Sequence, residues 1–329
     1  MDQNISMETI SCTDCDSHQK FENEIVASLK AHPKHLLSKY FYDQKGDVLF
    51  QQIMNMPEYY LTDCEMEIFT KKTEEIAHAV KAFDAPFDLV EFGAGDATKS
   101  SHLLKYLVTK NVDFTYMPID ISGNIISVLK ERFSREIPDL DLVGLNGEYF
   151  EMLDKANSIS SRRKVILFLG GNIGNMEVEE AHQFCHELRK KLNPGDILLI
   201  GFDLKKDPDI ILSAYNDKAG ITASFNLNLL ERINNELDAN FDIGKFKHYQ
   251  TYDPLAGACR SYLISLEKQN VMIGNQVIHF SENEAVYMEI SQKYAPEETD
   301  RMAVENGFKP VKHISDTKGW FIDAIWKVI

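Results

Sequence analysis

Cysteine is scarce in this 329-residue chain, with five residues scattered along it. Five is odd and too few for a disulfide framework, so a reducing compartment, the cytoplasm, is expected. Long hydrophobic runs are missing as well. The longest stretches, around Val165–Leu169 and Ile197–Ile200, fall far short of the roughly 20 apolar residues that a bilayer span needs. The opening Met1-Asp2-Gln3-Asn4 has neither a basic nor an apolar region, so no secretory signal is read there. Positive charge is in deficit: 35 Lys and Arg stand against 51 Asp and Glu, a net charge of −16 without any Lys/Arg-rich run. Nucleic acid and anionic membrane surfaces, which are bound through cations, are therefore not expected as partners.

What is present is ordinary for a folded chain: 44% hydrophobic and 26% charged residues. At about 150 residues per domain the length allows two. Two clusters invite a metal reading. Cys12 and Cys15 form a C-x-x-C in a polar leader, residues 1–20, that carries no helix or strand pattern. One such pair cannot close a four-ligand zinc site. His182, Cys185 and His186 share a predicted helix, but no carboxylate completes the set, and a solvated face is expected. No metal is predicted.

Apolar spacing predicts a helix from Phe21, a second from near Asp47, and a third opened by a Thr62/Glu65 capping box and running to about Phe83. The pattern then alternates. Strands are read at Phe87–Phe92, Phe114–Ile119, Leu140–Leu145, Val165–Leu169 and Ile197–Phe202, with helices between them, including Val178–Leu192. Continuous apolar runs of this kind belong to parallel strands buried on both faces. Phe308–Ile314 and Trp320–Trp326 are joined by only Asp316-Thr317-Lys318-Gly319 and must pair antiparallel. The fold class is therefore α/β: a doubly wound Rossmann-like sheet of the class I methyltransferase kind, closed by a C-terminal antiparallel hairpin. The long span before that hairpin predicts an inserted α+β substrate domain at 205–290. Residues 21–60 are read as a helical segment contributing to the substrate pocket, and 61–204 with 291–329 as the methyltransferase domain.

Ligands of such sheets bind beyond the carboxyl ends of the strands. Gly93-x-Gly95 stands there after the first strand, and Asp120 ends the second. A dinucleotide fingerprint wants a third glycine where this chain has Thr98, which disfavours a nicotinamide dehydrogenase. A nucleoside without pyrophosphate fits better. S-adenosylmethionine is such a ligand, with Asp120 accepting the ribose hydroxyls and Glu148 near the adenine. Asp120 as a helix-capping acid is the alternative.

Five stretches carry a more specific likeness. They are Lys39-Tyr40-Phe41-Tyr42-Asp43-x-x-Gly46-Asp47-x-Leu49-Phe50-x-x-Ile53 with Pro57-Glu58-Tyr59-Tyr60-Leu61-Thr62; Phe168-Leu169-Gly170-Gly171-Asn172-Ile173-Gly174-Asn175; Asp203-Leu204-x-Lys206-Asp207-Pro208 with Ala214-Tyr215-Asn216-Asp217; Thr222-Ala223-x-Phe225-Asn226-x-Asn228; and Glu289-Ile290-Ser291-x-Lys293-Tyr294. Together they closely resemble the histidine-specific Nα-methyltransferases of ergothioneine biosynthesis, over nearly the whole chain after residue 20. The resemblance implies transfer of methyl groups from S-adenosylmethionine to the α-amine of L-histidine, up to three times, giving hercynine.

It further implies that Gly93, Gly95, Lys99, Asp120, Glu148 and Tyr149 hold the cofactor. Tyr59, Asn175, Tyr215, Glu289 and Ser291 would hold the amino acid, with Tyr42 and Phe50 lining the site. Tyr42 and Asn175 would relay the amine proton. Each residue also has an ordinary role open to it: Phe50 and Tyr59 as core, Asn175 as a helix cap, Glu289 as a solvated helix residue. The chain departs from the family pattern at Asp47, Asp96, Glu148 and Asn172. Ser261, in Ala258–Leu263, stands where a methionine would pack against the imidazole. Methylation of another amine, such as a tryptophan derivative, and a non-catalytic S-adenosylmethionine-binding protein therefore remain as alternatives. A monomer acting on a small amino acid is the expectation.

Overall fold

The computed structural model describes residues 12–329, with side chains from His18 onward. The Cys12/Cys15 pair thus lies outside the described side chains. In chain order the N-terminal part forms α1 (Cys12–Lys30), α2 (Gln44–Met54), α3 (Tyr60–Lys71) and α4 (Thr73–Ala79). Alternation follows: β1 (Phe87–Phe92), α5 (Ser100–Thr109), β2 (Phe114–Asp120), α6 (Gly123–Glu136), β3 (Leu145–Asn146), α7 (Tyr149–Ile159), β4 (Arg163–Phe168), α8 (Val178–Lys190) and β5 (Ile197–Asp203). Then come α9 (Pro208–Tyr215), α10 (Ile221–Leu237), β6 (Phe246–Asp253), β7 (Ala258–Ser265), β8 (Gln269–Ile273), β9 (Gln276–Phe280), β10 (Ala285–Gln292), α11 (Pro296–Glu305), β11 (Phe308–Ser315) and β12 (Phe321–Val328). Among the described residues no helix is long and apolar enough to cross a membrane.

Two compact units result. The larger comprises Met56–Ala214, Tyr252–Cys259 and Ile290–Ile329. Its sheet runs β11-β12-β5-β4-β1-β2-β3, with β1 to β5 parallel and β12 antiparallel between β5 and β11. This is the class I methyltransferase sheet that the strand–helix alternation and terminal hairpin predict. Every residue of β1, β2 and β5 is buried, as strands covered by helices on both faces must be.

Several local expectations are corrected. The third strand shrinks from Leu140–Leu145 to Leu145–Asn146, with only a bridge from Leu142 to Tyr116 before it. It is the sheet's edge, where short pairing is the rule. The helix expected over 62–83 is two helices, broken at Lys72. Thr62 lies inside the first turn of α3 rather than capping it, because the carboxylate of Glu65 is drawn inward instead. Helix α1 takes in the second half of the expected leader. Its polar side chains pair along the helix, Gln19 with Glu22 and Asn23, so it needs no apolar stripe there. Cys185 of α8 is in the core, not on a solvated face, and burial pushes its thiol up to about 12.

The sheet also buries a carboxyl. Glu91 in β1 is pushed up to about 7 by burial, against hydrogen bonds from Tyr116 and Ser100. Its folded pKa lies above the ordinary 4.5, so its stabilising effect is complete below about 4.5 and lost as pH rises through 7. The shift corresponds to about 3 kcal/mol. Glu91→Gln should therefore raise the melting temperature relative to wild type at pH 8 and leave it nearly level at pH 5. Parallel melting curves at both pH values would contradict this.

The second unit comprises Met1–Asn55, Tyr215–Thr251 and Arg260–Glu289. In it α2 packs on α10, and β8 pairs with β9 as a hairpin. β10, β7 and β6 make a three-stranded sheet in that order. Burial alternates along β7 and β10, as in a sheet with one dry face. Asp43 caps α2 by accepting from Gly46 N, and its Oδ1 also accepts from Asn228 Nδ2 of α10 at 2.8 Å.

Candidate active site

In the larger unit, the chain leaves β1 through Gly93 and Gly95, both at positive φ, +63° and +51°. Only glycine takes this backbone readily. A Cβ on Gly93 would come within 2.8 Å of Tyr149 Oη, whereas one on Gly95 would meet nothing within 4 Å. The loop is anchored by Asp120 at the end of β2: Oδ2 accepts from Gly95 N at 3.2 Å and Oδ1 from Ser122 N at 2.9 Å. Ser122, not Asp120, caps α6. Tyr149 stacks on Phe92 with centroids 5.0 Å apart and planes 2° from parallel. Burial, then the charges of Asp120 and Glu148, raise the Tyr149 pKa. Glu148 itself is exposed just before α7. Asp120, Glu148 and Tyr149 therefore gather around one glycine loop, with the aromatic face and carboxylates that a nucleoside needs.

Lys99, immediately before α5, pairs with Glu65. Burial alone would lower its pKa, but the charge and hydrogen bond of Glu65 hold it above the ordinary value. β4 leads into Gly170 and Gly171, again at positive φ, and a short 3-10 turn, Asn172–Asn175, that ends on an exposed Asn175. Tyr59 is half-buried at the start of α3. Ser291 accepts from Lys293 Nζ at 2.7 Å. Lys293, fully buried, pairs with Asp203, which also holds Lys206 and the Tyr60 hydroxyl.

The second unit brings Tyr42 and Phe50 together, ring centroids 5.5 Å apart and nearly perpendicular. Phe225 of α10 completes the group at 5.7 and 5.9 Å from them. Tyr42 is 47% exposed and Phe225 only 3%, so the group runs from the surface into the core. Tyr215 is half-buried at the end of α9. Glu289 lies on strand β10, not on a solvated helix, and accepts from Asn226 Nδ2 at 3.4 Å. Ser261 is part of a polar chain: it donates to Gln250 Oε1 at 2.8 Å and meets His248 Nε2 at 2.9 Å. Burial, opposed by Asp217, lowers the His248 pKa to about 4. The ring is thus neutral at pH 7 and shares a hydrogen bond through Nε2 with the Ser261 hydroxyl.

Two contributors escaped the sequence reading. Phe225 was visible in the Thr222–Asn228 motif but received no role. Glu65 was read as a cap, although it falls on the same face as Leu61, Cys64, Ile68 and Phe69, all buried. A cavity of about 420 Å³ in the larger unit is lined by Tyr60, Cys64, Trp320 and carboxylates including Glu58 and Asp316. None of the expected site residues lines it.

Residues 21–328 match the family described as histidine-specific methyltransferase, SAM-dependent. The chain belongs to this family. It is 31% identical over 306 residues to the histidine N-alpha-methyltransferase of Mycobacterium tuberculosis, covering 92% of this chain and 94% of that one. The counterpart of Mycolicibacterium smegmatis is 32% identical over 305 residues, covering 92% and 93%. Ergothioneine biosynthesis protein 1 of Schizosaccharomyces pombe is 29% identical over 288 residues, 86% of this chain but 37% of that longer protein. The glycine loop fits the cofactor of such a family. Open space faces Gly95, and Asp120 keeps acceptor capacity beyond the two backbone N–H groups it already takes.

Proposed function

We propose that this chain methylates the α-amine of L-histidine up to three times, giving hercynine. The observation carrying this is the family match along nearly the entire chain, 21–328, which includes every residue expected to hold either ligand. In this reading Gly93, Gly95, Lys99, Asp120, Glu148 and Tyr149 hold S-adenosylmethionine, which supplies an electrophilic sulfonium methyl. Tyr59, Asn175, Tyr215, Glu289 and Ser291 hold the amino acid. Glu289 accepts an imidazole N–H and Ser291 serves the other ring nitrogen, while Asn175 and the Tyr215 hydroxyl meet the α-substituents. An indole offers a single N–H, so this pair favours imidazole.

The attacking amine must be neutral. An α-amine has a pKa near 8, so a relay through Tyr42 and Asn175 suffices and no strong base is needed. Positioning supplies most of the acceleration. Each methyl group removes an N–H donor, so later rounds cannot rely on hydrogen bonds to nitrogen. The faces of Tyr42, Phe50 and Tyr59 tolerate the growing cation. The reading includes a cytoplasmic monomer without nucleic-acid or membrane partners, in keeping with the −16 charge and the buried thiols of Cys64, Cys185 and Cys259.

The test is to incubate the chain with S-adenosylmethionine and each common amino acid, counting added methyl groups by mass spectrometry. Histidine should gain up to three. Turnover of a different amine alone would sink the histidine assignment, and no turnover at all would point to a non-catalytic binder.

A further inference from the structure

Glu65 is the one charged side chain on the buried face of α3, and it is 0% exposed. Burying a carboxylate is expensive unless its oxygens are fully engaged. Here both accept the Gly170 N–H, at 2.8 and 2.9 Å, and Oε2 also takes Lys99 Nζ. Two further buried acids act on this pair, Asp323 of β12 and Glu91 of β1. Burial, then the charge of Glu65, raises the Asp323 pKa well above the carboxylate range. Lys99 is the counter-ion paired with Glu65.

These two partners belong to different parts of the reaction. Lys99 follows the Gly93–Gly95 loop directly, and Gly170 opens the turn that ends on Asn175. We infer that Glu65 is a positioning residue that fixes Lys99 and the Gly170–Asn175 turn together, setting the cofactor and substrate groups by one shared carboxylate. The inference rests on the cofactor and substrate roles proposed above for Lys99 and Asn175. Glu65 is sealed from solvent and touches neither ligand. Its effect is geometric: an amide in its place cannot neutralise Lys99, and its NH2 would confront the Gly170 N–H, donor against donor.

The test compares Glu65→Gln and Glu65→Asp with wild type, using two readouts independent of turnover. These are calorimetric affinity for S-adenosylhomocysteine and hydrogen-exchange protection of the 170–175 amides. Glu65→Gln should weaken the affinity about 10- to 100-fold and strip protection from the turn, while Glu65→Asp, which restores the charge on a shorter arm, should recover part of both. A folded Glu65→Gln protein with a lower melting temperature but unchanged affinity and protection would reduce Glu65 to a structural residue and overturn the inference. If Glu65→Gln does not fold, Glu65→Asp decides: wild-type values in both readouts overturn the proposal, and a joint partial loss supports it. A wild-type chain that binds S-adenosylhomocysteine yet leaves histidine unmethylated would fail the functional reading alone.

Discussion

Asp120→Ala should lose about 10²- to 10³-fold in affinity for S-adenosylhomocysteine, with a matching fall in kcat/KM for the cofactor. Asp120 is nearly buried at the carboxyl end of β2, only 8% exposed. Its carboxylate offers about four lone-pair sites, and the amides of Gly95 and Ser122 take one on each oxygen. The remainder can accept ribose hydroxyls as charge-assisted bonds of about 1.5–3 kcal/mol each. Truncation removes these acceptors and also releases Gly95, so the loop loses its preset shape. Asp120→Asn, which keeps one oxygen, should lie between the two. Calorimetric titration checks the series, and a loss below about threefold in the alanine variant would show that Asp120 is only a loop anchor.

The second large effect concerns stability. Asp203→Ala should not yield a stably folded chain. Asp203 ends β5, is 3% exposed, and is the shared counter-ion of Lys206 and Lys293, whose side chains are 5% and 0% exposed. It also accepts from the Tyr60 hydroxyl at 2.9 Å. Removing one partner of a buried pair costs about 3–5 kcal/mol, and here two ammonium groups lose their shared counter-ion at once. Domains hold only about 5–15 kcal/mol in reserve. Burial already lowers the Lys206 pKa against the pull of Asp203, so shedding that proton would relieve part of the penalty. Urea denaturation gives the answer. A loss under about 1 kcal/mol would mean that water reaches the two ammonium groups readily.

How much of this was legible beforehand depends on what decides each feature. Strands such as Ile197–Asp203 were readable because burial on both faces forces a continuous apolar run, and the hairpin because its four-residue link admits one pairing. The glycine loop and Asp120 were readable from chain order alone. Tyr42 and Phe50 do meet, eight residues apart in sequence. Features settled by distant partners were not readable. Nothing local to Thr62–Glu65 says that Gly170 and Lys99, 105 and 34 residues away, claim the carboxylate. Nor does the sequence of Ala258–Leu263 show that Ser261 is taken up by His248 and Gln250.

The buried acids have one further consequence. Burial raises the proton affinity of Asp323 and of Glu91 in the folded chain above that in the unfolded chain. Folding therefore draws protons from the solvent, and the heat of unfolding near pH 7 will vary with the ionisation enthalpy of the buffer. For a chain with so many carboxylates the outcome runs against habit: mild acidification, at these two positions, tightens the fold.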